Sequence, residues 1–106
     1  DAAMAKQNLA MVNWTADSND WQNRNAGKIT KTVTEYATTY TQPIIVLHDT
    51  YSSTADATSG IIEALRHKGM TLVTVSELTV NTGGLETGKV YCRGTAVNQN
   101  GFGCHN

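Results

Sequence analysis

Apolar positions come in short bursts along this chain, and their spacing changes from burst to burst. Residues 9–16 (LAMVNWTA) mix apolar side chains with Asn and Thr before an Asp/Asn/Ser cluster, which predicts a buried strand running into a loop. Residues 17–27 are mostly polar, carry Trp21 and read as that loop. Over residues 28–40, Ile29, Val33, Tyr36 or Ala37, and Tyr40 recur every three to four positions, the spacing of one helix face, despite the many β-branched Thr. Asn25 is placed to cap that helix. Pro43 opens the run Ile44, Ile45, Val46, Leu47, of the kind found in parallel strands covered on both faces, and the run stops at His48 and Asp49. A Ser/Thr-rich loop leads into a helix over residues 57–68 with Ile61, Ile62 and Leu65 as its stripe. His67 and Lys68 suit its last turn, and Gly69 sits where a C-cap belongs. Residues 71–75 (TLVTV) read as a third strand, and residues 76–78 as a turn or short helix.

Strand, helix, strand, helix, strand is an α/β order whose connections fit parallel crossovers. After Thr79 the chain becomes rich in Gly and Asn and reads as an irregular extension rather than another β/α unit. No internal repeat occurs. Gly83-Gly84 lacks the helix that a phosphate-binding loop serves.

Composition narrows the possible partners. The chain has 106 residues, 8 basic and 9 acidic, a formal net charge of −1 and 40% hydrophobic residues, too apolar for a disordered tail. Its mean hydropathy of −0.33 with only 16% charged residues means that its polarity comes from Thr, Asn, Ser and Gln. This near-neutral balance, with a pI of about 6.3, speaks against a nucleic-acid surface, which needs concentrated Lys and Arg. The apolar run 44–47 is far short of the roughly 20 residues that a bilayer-spanning helix requires.

The start, Asp1-Ala2-Ala3-Met4, has no basic flank and no long apolar region, so it does not read as a signal peptide. The expectation is that a leader has been removed or that the chain is cut from something larger. Cys92 and Cys104 leave two readings open. As a disulfide they close a loop of about a dozen residues, adding about 3 kcal/mol in the chain-entropy model. As a zinc site they need two further ligands, and only His105 is near. A tail with few packing residues favours the disulfide, and with it an oxidising compartment, by secretion or at the cell surface.

In parallel α/β architectures the C-terminal ends of strands carry working residues. Two clusters fall at such ends: Asp17-Ser18-Asn19-Asp20-Trp21 and His48-Asp49. A lone His after an apolar run is most simply structural, satisfied by a backbone carbonyl. Beside a carboxylate from Asp20 or Asp17 it becomes a candidate general acid, because the carboxylate fixes the ring tautomer and favours the charged form. Either Asp alone is a turn-former. Trp21 reads as a lid over the strand ends or as a wall for a small apolar group or sugar face. His67 is explained by its helix end and His105 by an exposed chain end. Ser52 and Ser53 lack a nucleophile-elbow context.

Together the clusters resemble a known family. Residues 12–21 (VNWTADSNDW) resemble the D-x-x-D-W motif of the polysaccharide deacetylases, the NodB-homology domain of carbohydrate esterase family 4. Residues 44–49 (IIVLHD) resemble that family's aliphatic run closing in His-Asp, and residues 63–78 (EALRHKGMTLVTVSEL) its closing stretch. The resemblance covers about residues 10–78 and implies the C-terminal β/α units of a distorted (β/α) TIM-like barrel. The family's T-F-D-D, H-x-x-x-H and R-P-P-Y-like motifs do not occur. The expected organisation is therefore residues 1–78 as the C-terminal half of a deacetylase domain and residues 79–106 as the extension, with a companion N-terminal fragment completing the barrel.

By position, His48 matches the family's catalytic acid, Asp20 the carboxylate that orients it, and Trp21 the wall of the acetyl pocket. Val46 stands where the family usually has a Leu lining that pocket. The family's divalent metal, usually zinc, is expected on an Asp and two His of the absent half, along with the catalytic base. The implied activity is metal-assisted hydrolysis of N-acetyl groups on N-acetylglucosamine residues of peptidoglycan or a chitin-like polymer. In it metal-bound water attacks the amide carbonyl and His48 donates a proton to the leaving amine. An O-acetyl esterase on xylan and a non-catalytic carbohydrate-binding module remain alternatives.

Overall fold

The computed structural model describes residues 2–97 and Cys104. His105, expected to be an exposed end, lies outside the described residues. The elements run α1 (Ala2–Lys6), β1 (Met11–Val12), β2 (Ala16–Asp17), α2 (Ala26–Thr39), β3 (Ile45–Val46), α3 (Ser52–His67), α4 (Val75–Thr79), a 3-10 turn (Val80–Thr82), β4 (Val90–Tyr91) and β5 (Ala96–Val97). The chain divides into two compact units, one of residues 16–40 and 45–72, the other of the remaining segments.

The first unit is a β-α-β unit followed by a helix. β2 and β3 pair in parallel, with Ala16 opposite Ile45 and Asp17 opposite Val46, and α2 makes the crossover. As expected, Asn25 caps α2, its side chain accepting from the Lys28 N–H at 3.0 Å. The threonines that weaken helix propensity return their hydroxyls to the backbone one turn back. Thr30 bonds the Ala26 carbonyl, Thr34 that of Thr30, and Thr39 that of Glu35.

The buried face of α2 (Ile29, Val33, Ala37) packs against that of α3 (Ala57, Ile61, Leu65), and Ile45, Leu47 and Met70 close over the cluster. Tyr36, an alternative member of the stripe, is exposed. Truncating Ile61 or Leu65 to Ala costs about 2–5 kcal/mol by the usual cavity penalty.

Helix α3 starts five residues earlier than the expected 57, absorbing the Ser/Thr stretch. The Tyr51 carbonyl accepts from the Thr54 and Ala55 N–H groups, and Thr58 bonds back to the Thr54 carbonyl. Its end follows the expectation. Gly69 takes φ +82°, its N–H donates to the Arg66 carbonyl, and the Met70 N–H donates to that of Leu65. That pattern is a Schellman cap, with Met70 packed back on the helix pair.

Three expected strands differ. The run 44–47 is only half-buried, not covered on both faces. Ile45 and Leu47 reach the helices, whereas alternation puts Ile44 and Val46 on the other face. Residues 9–16 form two short strands instead of one. Asn13 breaks the run by accepting the Trp14 N–H on its own side chain, a local bond that competes with a sheet ladder. Residues 71–75 form no strand, and Leu72 and Val73 are exposed. There Thr74 and Glu77 make a reciprocal capping box, which starts α4 at Val75.

In the second unit β1 pairs in parallel with β4, Met11 opposite Val90, and β4 pairs antiparallel with β5. The segment expected to be irregular thus holds two short strands. Val90, Tyr91 and Cys92 are buried, and the Tyr91 hydroxyl donates to the Gly84 carbonyl while accepting the Glu86 N–H. Cys92 and Cys104 form a disulfide, as the tail's composition favoured.

Candidate active site

Strand β2 ends in a tight turn because short polar side chains there bond their own backbone. The Asp17 carboxylate accepts the Asn19 N–H at 2.9 Å, Asn19 adopts φ +54°, and the Asp20 N–H donates to the Ser18 hydroxyl at 3.3 Å. Asp17 is the turn-former. The turn delivers Asp20 inward, and its side chain is 0% exposed.

A buried carboxylate persists only if donors surround it. Asp20 Oδ2 accepts the His48 backbone N–H at 2.6 Å and the Thr54 hydroxyl at 2.7 Å. Asp20 Oδ1 lies 2.7 Å from His48 Nδ1. Burial raises the Asp20 carboxyl. The bonds from the His48 backbone and side chain, Thr54 and Ser18 overcome that effect and bring it from 3.8 to about 2.

Asp20 is therefore an ionised acceptor, which makes Nδ1 the donor and fixes the tautomer of the neutral ring. Nε2 is left as the nitrogen that gives or takes a proton. The His48 side chain is 46% exposed, so that proton is within reach of a bound molecule. The pair can act as a proton donor or acceptor oriented by a fixed negative charge.

The other expected residues adjoin this pair in the sequence. Trp21 follows Asp20 and is 50% exposed. Val46 is half-buried on β3, on the strand face opposite the helix cluster and at the parity of His48.

Sequence reasoning missed three neighbours. Thr54 supplies a hydroxyl to Asp20 from the first turn of α3. Tyr51 sets its ring 5.9 Å from that of His48, and the Arg24 guanidinium lies 4.3 Å from the Tyr51 ring centroid. None of the three carried a signal, because residues 17–27 and the Ser/Thr-rich stretch before residue 57 both read as loops.

Among the described residues no group of three or more His, Cys, Asp or Glu could hold a metal ion. The acid–imidazole pair offers two groups, with both Asp20 oxygens already engaged. The described residues do not fit the divalent metal that the resemblance implies.

A β-α-β unit thus holds a buried carboxylate against a half-exposed imidazole at its strand ends on an α/β scaffold, an arrangement able to orient a proton donor or acceptor. No family model matches the chain. It is 35% identical over 83 residues to the peptidoglycan-N-acetylglucosamine deacetylase PgdA of Listeria monocytogenes, across 78% of this chain and 17% of that protein. It is 35% identical over 78 residues to the peptidoglycan-N-acetylmuramic acid deacetylase PdaC of Bacillus subtilis, across 74% of this chain and 16% of that protein. A solved structure of a deacetylase with substrate superimposes at a TM-score of 0.75 with 28% identity, over 86% of this chain and 45% of that one. The chain belongs to the polysaccharide deacetylase family. It spans about a sixth of the length of the curated relatives it matches.

Proposed function

We propose that this chain supplies the proton-donor side of a deacetylase that hydrolyses N-acetyl groups of N-acetylglucosamine residues in peptidoglycan or a chitin-like polysaccharide. The observation that carries the reading is the 2.7 Å contact between buried, ionised Asp20 and His48 Nδ1. Amide hydrolysis stalls unless the leaving nitrogen is protonated, because an amide anion is a very poor leaving group. After water has added to the acetyl carbonyl, imidazolium His48 passes its Nε2 proton to the sugar nitrogen. The C–N bond then breaks, releasing acetate and the free amine. Asp20 holds the ring and offsets its positive charge before the transfer. Trp21 and Val46 are assigned to the acetyl pocket, where an apolar wall suits a methyl group.

The remaining parts of the reading follow the relatives. PgdA and PdaC are named as peptidoglycan deacetylases, which favours peptidoglycan as the polymer. A companion N-terminal half is assigned the divalent metal, zinc in most of the family, and the catalytic base. Exposed Leu9, Val12, Leu72, Val73 and Val80 are apolar surface that such a half would cover. Residues 1–78 form the deacetylase half and residues 79–106 an extension beyond it. The disulfide Cys92–Cys104 supports secretion or a cell-surface location. No helix among the described residues is long and apolar enough to cross a membrane.

The test is release of free amine from N-acetylated peptidoglycan fragments and chitooligosaccharides by the complete enzyme, set against acetate release from acetylated xylan. Turnover of the amides that disappears in His48→Gln supports the reading. Amide turnover unchanged in that variant, or turnover of xylan esters alone, refutes it. A chain that folds cooperatively as a monomer without a companion would refute the half-barrel organisation.

A further inference from the structure

Resting on the proton-donor reading of His48, we propose that Tyr51, backed by Arg24, is a positioning residue that holds the half-exposed imidazole in register with Asp20. The His48 ring is tied to the protein at Nδ1 while 46% of its side chain faces solvent. Histidine χ2 is a broad torsion, so one hydrogen bond leaves the ring room to tilt and swing Nε2 away from a bound amide.

The Tyr51 ring, 5.9 Å away and inclined at 48°, stands against that swing. Tyr51 is itself fixed at both ends. Its carbonyl accepts the Thr54 and Ala55 N–H groups at the start of α3, at 3.1 and 3.2 Å, and its ring takes the Arg24 guanidinium at 4.3 Å. Planar, delocalised guanidinium stacks on aromatic faces where a Lys ammonium would remain a hydrated point charge.

The arrangement joins the same two segments twice. From the β2–α2 loop, buried Asp20 grips the His48 N–H, the His48 ring and Thr54. From that same loop, exposed Arg24 grips Tyr51 on the outside. The inner clamp sets the charge and tautomer of the imidazole, and the outer clamp sets its tilt.

In the complete enzyme, Tyr51→Ala is expected to lower kcat by about ten- to a hundred-fold, as small misplacements of a reacting group do, with KM changed by less than about two-fold. Tyr51→Phe keeps the ring and is expected to match the parent. Arg24→Gln is expected to lower kcat by about two- to five-fold, the worth of one exposed cation–π contact. Arg24→Lys is expected to restore part of that loss.

NMR reads the same effect without turnover. The hydrogen-bonded Nδ1–H resonance of His48 should be sharp in the parent and Tyr51→Phe, and broadened by exchange in Tyr51→Ala. A parental kcat with a sharp Nδ1–H in Tyr51→Ala overturns the proposal. So does Tyr51→Phe as slow as Tyr51→Ala, which would put the hydroxyl rather than the ring in the reaction. Full turnover in His48→Gln would refute the proton-donor reading alone, and the Nδ1–H resonance of Tyr51→Ala would still decide the positioning.

Discussion

Asp20→Asn isolates charge from shape at the centre of the site. The amide is isosteric, but it has one acceptor end where the carboxylate has two. Oδ2 serves two obligate donors, the His48 N–H and the Thr54 hydroxyl, while Oδ1 serves only His48 Nδ1. The substituted amide therefore settles with its oxygen toward the pair of donors and its NH₂ toward Nδ1. Two donors cannot face each other, so Nδ1 gives up its proton and the ring takes the Nε2–H tautomer. Its second proton no longer has a counter-charge. Neutral imidazole is too weak an acid to protonate a leaving amine in step with C–N cleavage.

The stability cost follows from the ionisation of Asp20. A carboxyl held at about 2 instead of 3.8 corresponds to about 2 kcal/mol of preference for the charged form. Unfolding of Asp20→Asn at neutral pH is expected to lose up to that amount with the fold retained. Turnover should fall by about 10²- to 10⁴-fold, the usual worth of a positioned general acid. Amine release measures the second effect, and ¹⁵N shifts of the His48 ring identify the tautomer. Parental turnover refutes the assigned role. Reduced turnover with the proton still on Nδ1 refutes the tautomer argument.

Three further outcomes follow from the same geometry. Because Asp20 titrates lower folded than unfolded, its contribution is present above about pH 4 and disappears as pH falls from 3.8 toward 2; acid unfolding of Asp20→Asn should lack that component, as paired denaturation curves would show. Thr54→Val leaves the shape and removes one donor from the buried carboxylate; it should cost about 1–2 kcal/mol in denaturant unfolding and lower turnover less than Asp20→Asn does. Reducing the Cys92–Cys104 disulfide, a sequence separation of 12, should cost about 3 kcal/mol in the unit that holds β4, read as a lower melting temperature in reductant.

Much of the scaffold was legible because its signals are local. Asn25 before an apolar stripe, Ile61 and Leu65 one turn apart, and Gly69 after Lys68 each dictate a conformation from a few neighbouring residues. Residues 71–75 misled because a five-residue run of Leu, Val and Thr carries no information about a pairing partner. The Thr74/Glu77 capping box, equally local, acts on the same backbone and starts α4 instead. Asn13 likewise divided a strand whose apolar pattern read as continuous.

At the site, the residue pattern singled out His48 with a carboxylate from Asp17 or Asp20, since a carboxylate and an imidazole at the ends of two predicted strands can meet only if those strands are neighbours. Only the family resemblance pointed to Asp20 over Asp17. The tertiary structure decided this through the turn that makes Asp17 accept the Asn19 N–H and sends Asp20 inward. The structure also recruited Thr54, Tyr51 and Arg24, which are distant in the chain from their partners or unmarked by any pattern. Local periodicity and capping are energies between near neighbours in the chain and are written in its order. The ionisation of Asp20 and the pose of His48 depend on which donors remain once water is excluded, and only the folded packing sets those.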